Sequence, residues 1–448
     1  MKILASLPDS AFAGSCITVI QQYPSSEPNA DPFAERMLST YLLYTPALWA
    51  LGLLTPLGAC LLLTLVCRNA CWKKFGLVVW VWWLVGVMQA VSVMVNWVDT
   101  DLPIGELLYK MVGAHVTGWF FIGAAIGVGK TYGLASPRVA RAVCVLGLYL
   151  LAFGLVSMII GMVSGMDRLD VPSPLALLFP GNLSFVKNSL TMRFFVSEET
   201  FNSTIPRLIL FYPWSVCLGF AAIAVFMIAL EEPEPSWRLI GLSGGLIGLI
   251  GSMSRASIVA FLVVGTVYGW QRIQKTYRWA GIALVSSACT LLLVMDAPVL
   301  DIILGTATSV TEVREGSSEA RQLGYEESWS GFLQSPVLGY GWPGDPLSET
   351  IPMFVGSHST VYGVLYTGGL ITFLPFCFAM LTTVFAVTLR ALTGQQSLAA
   401  QSIAFTLMIL CYGEGIYSFA LPTLFAFCWL GGGLSSIDNL TNVSQHAK

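Results

Sequence analysis

The chain has 448 residues, 55% of them hydrophobic and only 10% charged, where an ordinary soluble domain carries about 25% charged residues. So little charge cannot cover a water-facing surface, which excludes a soluble globular fold and points to an all-α, polytopic integral membrane protein. A net charge of −3 also excludes nucleic acid as a partner, because that needs a basic face.

Residues 1–38 open with MKILASLPDSAFAGSC, whose short apolar stretch is interrupted by Pro8 and Asp9. This reads as a polar or interfacial lead-in rather than a cleaved signal or a lipid-modified Cys16. A membrane-crossing helix needs about 20 apolar residues at 1.5 Å rise each. Such segments fall at roughly 40–67, 75–97, 106–129, 140–165, 208–230, 239–253, 256–271, 279–295, 360–389, 397–416 and 418–437. The expectation is about eleven transmembrane helices, within ten to twelve, the pair meeting near 253–256 being individually short. Eight lie in 39–295, with an outer loop at 166–207. A large periplasmic loop containing short helices follows at 296–359, then three more spans in 360–438 and a tail at 439–448.

The positive-inside rule orients these spans. Arg68, Lys73 and Lys74 follow the first, Lys130, Arg138 and Arg141 the third, Arg272, Lys275 and Arg278 the seventh, and Arg390 the ninth. The opposite side carries DTDLPIGE and both long loops, and the N-terminus is placed there with them. Most cysteines, among them Cys60, Cys217 and Cys411, lie inside apolar runs without a CxxC pair, so they read as small lipid-phase side chains rather than disulfides or metal ligands.

Arg255, in GSMSRASIVAF, is the only charge between Arg238 and Arg272. A charge at membrane depth costs about 2.5–3.5 kcal/mol on translocon scales and is usually retained for function. The competing reading is an arginine snorkelling to the headgroups. Ser254 beside it leaves room for a ligand. His358 opens the ninth span, where a neutral imidazole accepts a hydroxyl proton at neutral pH; the plain alternative is a helix cap. His115 suits a structural role, and Ser359 next to His358 lacks a carboxylate orienter for nucleophilic catalysis. Glu414, in CYGEGIYSF, is an acid at an outer helix break and a polar partner for such a site. Asp99 and Asp101 form a pair of the kind that holds a divalent cation, though acidic outer loops are common.

The stretch HSTVYGVLYTGGLIT, with His358, Ser359, Gly369 and Thr372, resembles the histidine motif of the O-antigen ligase and O-antigen polymerase superfamily. SRASIV at 254–259 resembles that superfamily's Arg-x-x-x-Leu motif, with Val259 in place of leucine. RQLGYEESWSGFLQSPVLGYGW is similar to its pattern of an arginine (Arg321), an aromatic-rich amphipathic helix and Pro-x-x-Gly-x-Gly, here Pro336, Gly339 and Gly341. RFFVSEETFNSTIPRL, beginning at Arg193, is more loosely similar to its arginine-bearing loop before the fifth span.

The resemblance implies a metal-independent, inverting glycosyltransferase without a cofactor, set in the inner membrane with its site facing the periplasm. Its donor would be an oligosaccharide on undecaprenyl diphosphate. Its acceptor would be a sugar hydroxyl on another lipid-linked repeat or on lipid A–core, with membrane lipids and a chain-length regulator as further partners. His358 would be the general base. Arg255, Arg321 and Arg193 would clamp the diphosphate by bidentate forks, helped by Ser254, Ser359 and Glu414. Tyr325, Trp329, Tyr340 and Trp342 would stack sugars or anchor the loop at the interface. Polymerase of a surface polysaccharide is the preferred activity, with the ligase as alternative. A transporter or flippase would instead show inverted repeats and charges near the bilayer midplane. A metal-dependent transferase would use Asp99 and Asp101. The short termini argue against relatives that glycosylate proteins.

Overall fold

A computed structural model describes residues 30–98, 100, 103–178, 190–196, 206–272, 315–348, 353–392 and 397–435. The chain is mostly helical. In order come α1 (Pro32–Leu43), α2 (Thr45–Leu51), α3 (Leu54–Cys67), α4 (Leu77–Val98), α5 (Ile104–Val112), α6 (Ala114–Tyr132) and α7 (Pro137–Ser164). Then follow α8 (Ser215–Ala229), α9 (Pro235–Ser252), α10 (Arg255–Arg272), α11 (Glu315–Gln334), α12 (Thr360–Leu392), α13 (Leu398–Leu410) and α14 (Leu424–Gly432). Five helical stretches are long and apolar enough to cross a membrane: Leu54–Lys74, Leu77–Val98, Ile104–Tyr132, Pro137–Ser164 and Thr360–Ala391. Ser215–Ala229 and Leu398–Leu410 are shorter apolar helices. The expected span at 279–295, the start of the late loop at 296–314 and the tail from 439 lie outside the described residues.

The chain enters the bundle differently from the sequence reading. Residues 32–38, expected in a polar lead-in, are the first turns of α1, and Ala34, Glu35 and Leu38 are buried against α7. Asp31 caps α1, its carboxylate accepting from the backbone N–H groups of Phe33 and Ala34 and pairing with Arg68 at 2.7 Å. Its own N–H donates to the Tyr132 carbonyl at 3.0 Å. Asp31 therefore sits at the end of the bundle that carries the basic turns, not at the opposite end. From there α1 and α2 climb alongside α7: Glu35 lies 3.7 Å from Arg138, the Tyr149 hydroxyl donates to the Leu43 carbonyl, and Trp49 packs edge-on to Phe153. Gly52, at φ +76°, turns the chain over, and α3 descends to Arg68. The apolar run at 40–67 is thus a helical hairpin. Glu35 and Arg36 dilute the hydropathy of its first arm, which is why a window reading missed it.

At the far end, the loop at 166–207 departs from the all-α expectation. Its described parts form an antiparallel sheet, β1 (Arg168–Pro172), β2 (Thr191–Val196) and β3 (Arg207–Leu210), in the order β1-β2-β3. β3 occupies the start of the segment expected to be a helix from 208. The sheet sits on α7 and α9, whose own contact depends on small residues. A Cβ on Gly147 of α7 would stand 2.9 Å from the Gly241 Cα of α9, too close for any side chain.

The ninth expected span, α12, is broken. Gly369 has φ +58° and ψ −164°, a conformation open essentially to glycine alone. Into the break fits the Pro-x-x-Gly-x-Gly turn after α11. Tyr340 and Gly341 donate backbone N–H bonds to the Tyr366 and Thr367 carbonyls at 2.9 and 2.7 Å. Leu370 and Ile371 donate back to the Pro336 and Val337 carbonyls at 2.9 and 3.2 Å. A polar stripe on α4 clamps the same turn: Gln89 donates to the Gly341 carbonyl, Ser92 to those of Leu338 and Thr367, and Asn96 to that of Gly339. Spaced three and four residues apart, these side chains share one helix face. Through this joint α11 is fixed against α12.

Candidate functional site

Four stretches distant in sequence meet at the end of the bundle that carries the sheet. They are the start of β3, the turn between α9 and α10, the helix α11, and the N-terminus of α12 with the 411–416 turn that follows α13.

The last of these is one hydrogen-bonded unit. An α-helix begins with N–H groups that lack intrahelical partners, and here the 411–416 turn supplies them. The Thr360 N–H donates to the Cys411 and Glu414 carbonyls at 2.9 and 3.0 Å, and the Thr360 hydroxyl donates to the same Glu414 carbonyl. The Ile416 N–H in turn donates to the Thr360 hydroxyl at 3.0 Å. Ser359 is the helix cap, its hydroxyl accepting from the Tyr362 N–H at 3.3 Å and donating to the Cys411 carbonyl at 3.4 Å. Ser359 is buried and engaged on both sides. His358 is thereby held directly before the capping residue of a fixed helix start.

Arg321, in the second turn of α11, closes the unit. One guanidinium nitrogen donates to Glu414 Oε1 at 2.9 Å and the other to the Gly413 carbonyl at 3.2 Å. Glu414 is buried, so its usual charge cost is offset by this pair; burial pushes its carboxyl above the ordinary range, while Arg321 and Arg207 pull it down. His358 is half-buried. Burial, reinforced by the positive charge of Arg321, lowers its pKa from the ordinary 6.5 to about 4. The imidazole is therefore neutral at pH 7 and able to accept a proton. It borders a recess of about 10 Å³ with Tyr325, Ser328, Gly356 and Tyr362, room for a water at most, so a substrate has to approach from the open side. That side is framed by Tyr325 stacked on Tyr362 at 4.7 Å and by the exposed Tyr412 at their edges.

Arg255 is the first residue of α10. Met253 ends α9 at φ +49°, and Ser254 caps α10 by accepting from the Ser257 N–H at 3.2 Å and the Ser257 hydroxyl at 2.9 Å. Ser254 is buried in this role and shapes the turn that carries Arg255. Arg321 and Arg207 both lie within electrostatic range of Arg255. Three guanidinium groups from three separate segments are therefore neighbours in charge, with Arg207 and Arg321 also acting on Glu414 and Arg321 on His358.

The sequence reading named Arg193 for the third. The structure places it elsewhere: Arg193 donates to the Pro213 carbonyl at 2.9 Å and stands 3.6 Å from the Asp170 carboxylate, bracing the sheet. Arg207, in the same quoted stretch, joins the cluster instead, held by a 2.7 Å bond to the Ser215 hydroxyl. A signal was present: Arg207 directly precedes an apolar run, as Arg255 does. Of the aromatic residues named from sequence, only Tyr325 reaches this site. Tyr340 stacks on Tyr366 at 4.8 Å beside the α12 break, Trp342 lies under the Lys110 ammonium, and Trp329 packs on Phe332. His115 packs against Tyr417 at 4.5 Å. Asp99 and Asp101 lie outside the described residues, among which no group of three His, Cys, Asp or Glu side chains clusters as metal ligands.

Residues 240–377 match the model of a family described as O-antigen ligase. The matched segment runs from α9 to the middle of α12 and takes in Arg255, Arg321, His358 and Gly369; Arg207 and Glu414 lie outside it. No curated protein matches the chain.

Proposed function

We propose that this chain, whose residues 240–377 match a family described as O-antigen ligase, is a membrane glycosyltransferase of that general type, moving a glycan from a polyprenyl-diphosphate donor to a sugar hydroxyl on the periplasmic face of the bacterial inner membrane. The observation that carries the proposal is the convergence of Arg207, Arg255 and Arg321 beside a neutral His358.

The chemistry of the transfer explains that grouping. The acceptor oxygen attacks the anomeric carbon as the bond from that carbon to the diphosphate oxygen breaks, inverting the centre. Negative charge grows on the departing diphosphate, and guanidinium forks stabilise it by paired, charge-assisted hydrogen bonds. His358 takes the acceptor hydroxyl proton, a contribution of about 10²–10⁴-fold. Glu414 positions Arg321, and through the 411–416 turn it also fixes the helix start that presents His358. The tyrosines at the open side offer faces for sugar rings. No metal enters this scheme.

Polymerisation of surface-polysaccharide repeats is the preferred activity. Deleting the gene and resolving surface glycans by gel tests it. Loss of all long polymer, with single repeats still attached to lipid A–core, is the expected result. Long lipid-linked polymer that fails to reach lipid A–core assigns the ligase reaction instead. Repeats trapped at the inner leaflet would replace both with a flippase.

A further inference from the structure

Beside the arginine cluster lies a second cavity that this chemistry does not use. Its volume is about 290 Å³. One wall is the Phe211–Trp214 turn between β3 and α8; the facing wall is the 417–422 segment, and the floor comes from the first turns of α3 and α6. Both walls continue into the cluster. Arg207 and Arg193 pin the turn, through the Ser215 hydroxyl and the Pro213 carbonyl. Tyr417 lines the cavity while its hydroxyl donates to the Ser357 carbonyl, next to His358.

Three features of the cavity restrict its occupant. Among the described residues, no charged or amide side chain lines it, and its surface is mainly aromatic and aliphatic with a few threonine and serine hydroxyls. A sugar hydroxyl buried there without a partner would cost about 1–3 kcal/mol. Next, the cavity takes part of its lining from the N-terminal turns of α3, one of the helices long and apolar enough to cross a membrane, and Pro56 there is exposed. Finally, the volume is roughly twice the ~150 Å³ that admits one benzene ring, room for about ten to twelve carbon atoms.

We infer that this cavity binds the first two isoprene units of a polyprenyl diphosphate, holding the lipid so that its diphosphate lies on Arg207, Arg255 and Arg321. The inference rests on the donor class proposed above and adds a site for the hydrocarbon end. It gives the sheet a purpose: β3 carries the phosphate-binding Arg207 at one end and the cavity wall at the other. Seating the isoprenoid orders the same turn that positions the guanidinium.

Full-length protein in nanodiscs is titrated with farnesyl diphosphate and with inorganic diphosphate, followed by the fluorescence of Trp49 and Trp214, which line the cavity. The prenyl compound is expected to bind at least tenfold tighter. Ala59→Trp, which fills the cavity from α3, abolishes that preference and leaves inorganic diphosphate binding unchanged. Leu63→Trp, one turn further along α3 and exposed on its outer face, keeps the preference. An unchanged preference in Ala59→Trp overturns the inference while the glycosyltransferase reading stands. Failure of wild-type protein to bind either compound removes the diphosphate-donor reading and this inference with it. A diazirine-bearing farnesyl diphosphate provides a check that needs no variant: crosslinks to the 49–59, 117–121 or 417–422 segments support the site, and crosslinks only elsewhere overturn it.

Discussion

Gly369→Ala is the sharpest perturbation of the joint that sets Arg321 against His358. At φ +58° and ψ −164° the backbone lies where a side chain costs about 1–3 kcal/mol whatever surrounds it. The surroundings add to this. A Cβ would press directly on the Val337 carbonyl and stand 2.7 Å from the Leu338 nitrogen, and both are backbone atoms that no rotamer change can move. The alanine variant therefore has two courses. It keeps the joint and carries the strain and the overlap together. Otherwise it expels the 336–341 turn and forfeits the four backbone hydrogen bonds between turn and helix, at about 0.5–1.5 kcal/mol net each. The first course costs about 1–3 kcal/mol before the overlap is added and the second about 2–6 kcal/mol, and the second also frees α11 to move Arg321 away from His358. Thermal unfolding in detergent and glycan transfer in proteoliposomes measure the two consequences: the midpoint falls by several degrees and transfer drops at least tenfold. Gly269→Ala in α10 is the control, since nothing stands within 4 Å of its Cβ position and alanine is the better helix former there. A Gly369→Ala protein with wild-type midpoint and turnover refutes the account of the broken helix.

The remaining predictions concern the cluster itself. His358→Ala abolishes transfer while leaving insertion and the unfolding midpoint intact; measurable turnover removes its role as base. Arg255→Lys loses most activity although it keeps the charge, because a point charge cannot reproduce a bidentate fork, and Arg207→Lys behaves likewise while Arg193→Lys loses less; the reverse order restores Arg193 as the phosphate ligand. The acid limb of kcat/KM, which reports the free protein, lies near pH 4, because His358 is competent above its lowered pKa and lost as pH falls through it. Bound diphosphate opposes the charge of Arg321, so the limb of kcat lies at higher pH, and a kcat/KM limb at pH 6.5 refutes the electrostatic picture. Chelator leaves transfer unchanged, and a loss restored by a divalent cation moves attention to Asp99 and Asp101.

What the sequence revealed and what it hid follow from the same energetics. Arg255 and His358 were legible because a polar group at the boundary of an apolar run is expensive and therefore conspicuous. Ser254 and Ser359 have a second role that the sequence also signalled, since each stands directly before a helix, the position at which a serine hydroxyl satisfies an orphan N–H. Arg193 and Arg207 could not be ranked without the strands. In the pairing of β2 with β3, Arg193 stands opposite Leu210 and Arg207 opposite Val196, so the two arginines fall at opposite ends of the β2–β3 ladder and reach different neighbours. The first hairpin was hidden because its turn at Gly52 lies within continuous apolar sequence, and because Glu35 is buried against Arg138 rather than exposed.

The glycines were legible as a pattern but not as a device. Gly339, Gly341 and Gly369 read as separate elements of a motif, yet Gly339 and Gly369 permit the close approach of turn and α12 backbones, and Gly341 that of the turn to α4. Across that joint Gln89, Ser92 and Asn96 of α4 hold carbonyls of both partners. None of the three touches the cluster, and none stood out in the sequence, since isolated polar residues in a span suggest little until the carbonyls they meet are known. They link a transmembrane helix to the loop that carries Arg321, and so add the rigidity of the bundle to the hold that Glu414 and Gly413 already have on its guanidinium. A site assembled from four distant stretches needs such a brace, because a misplacement of about 1 Å in a catalytic group can cost on the order of 10²-fold in rate.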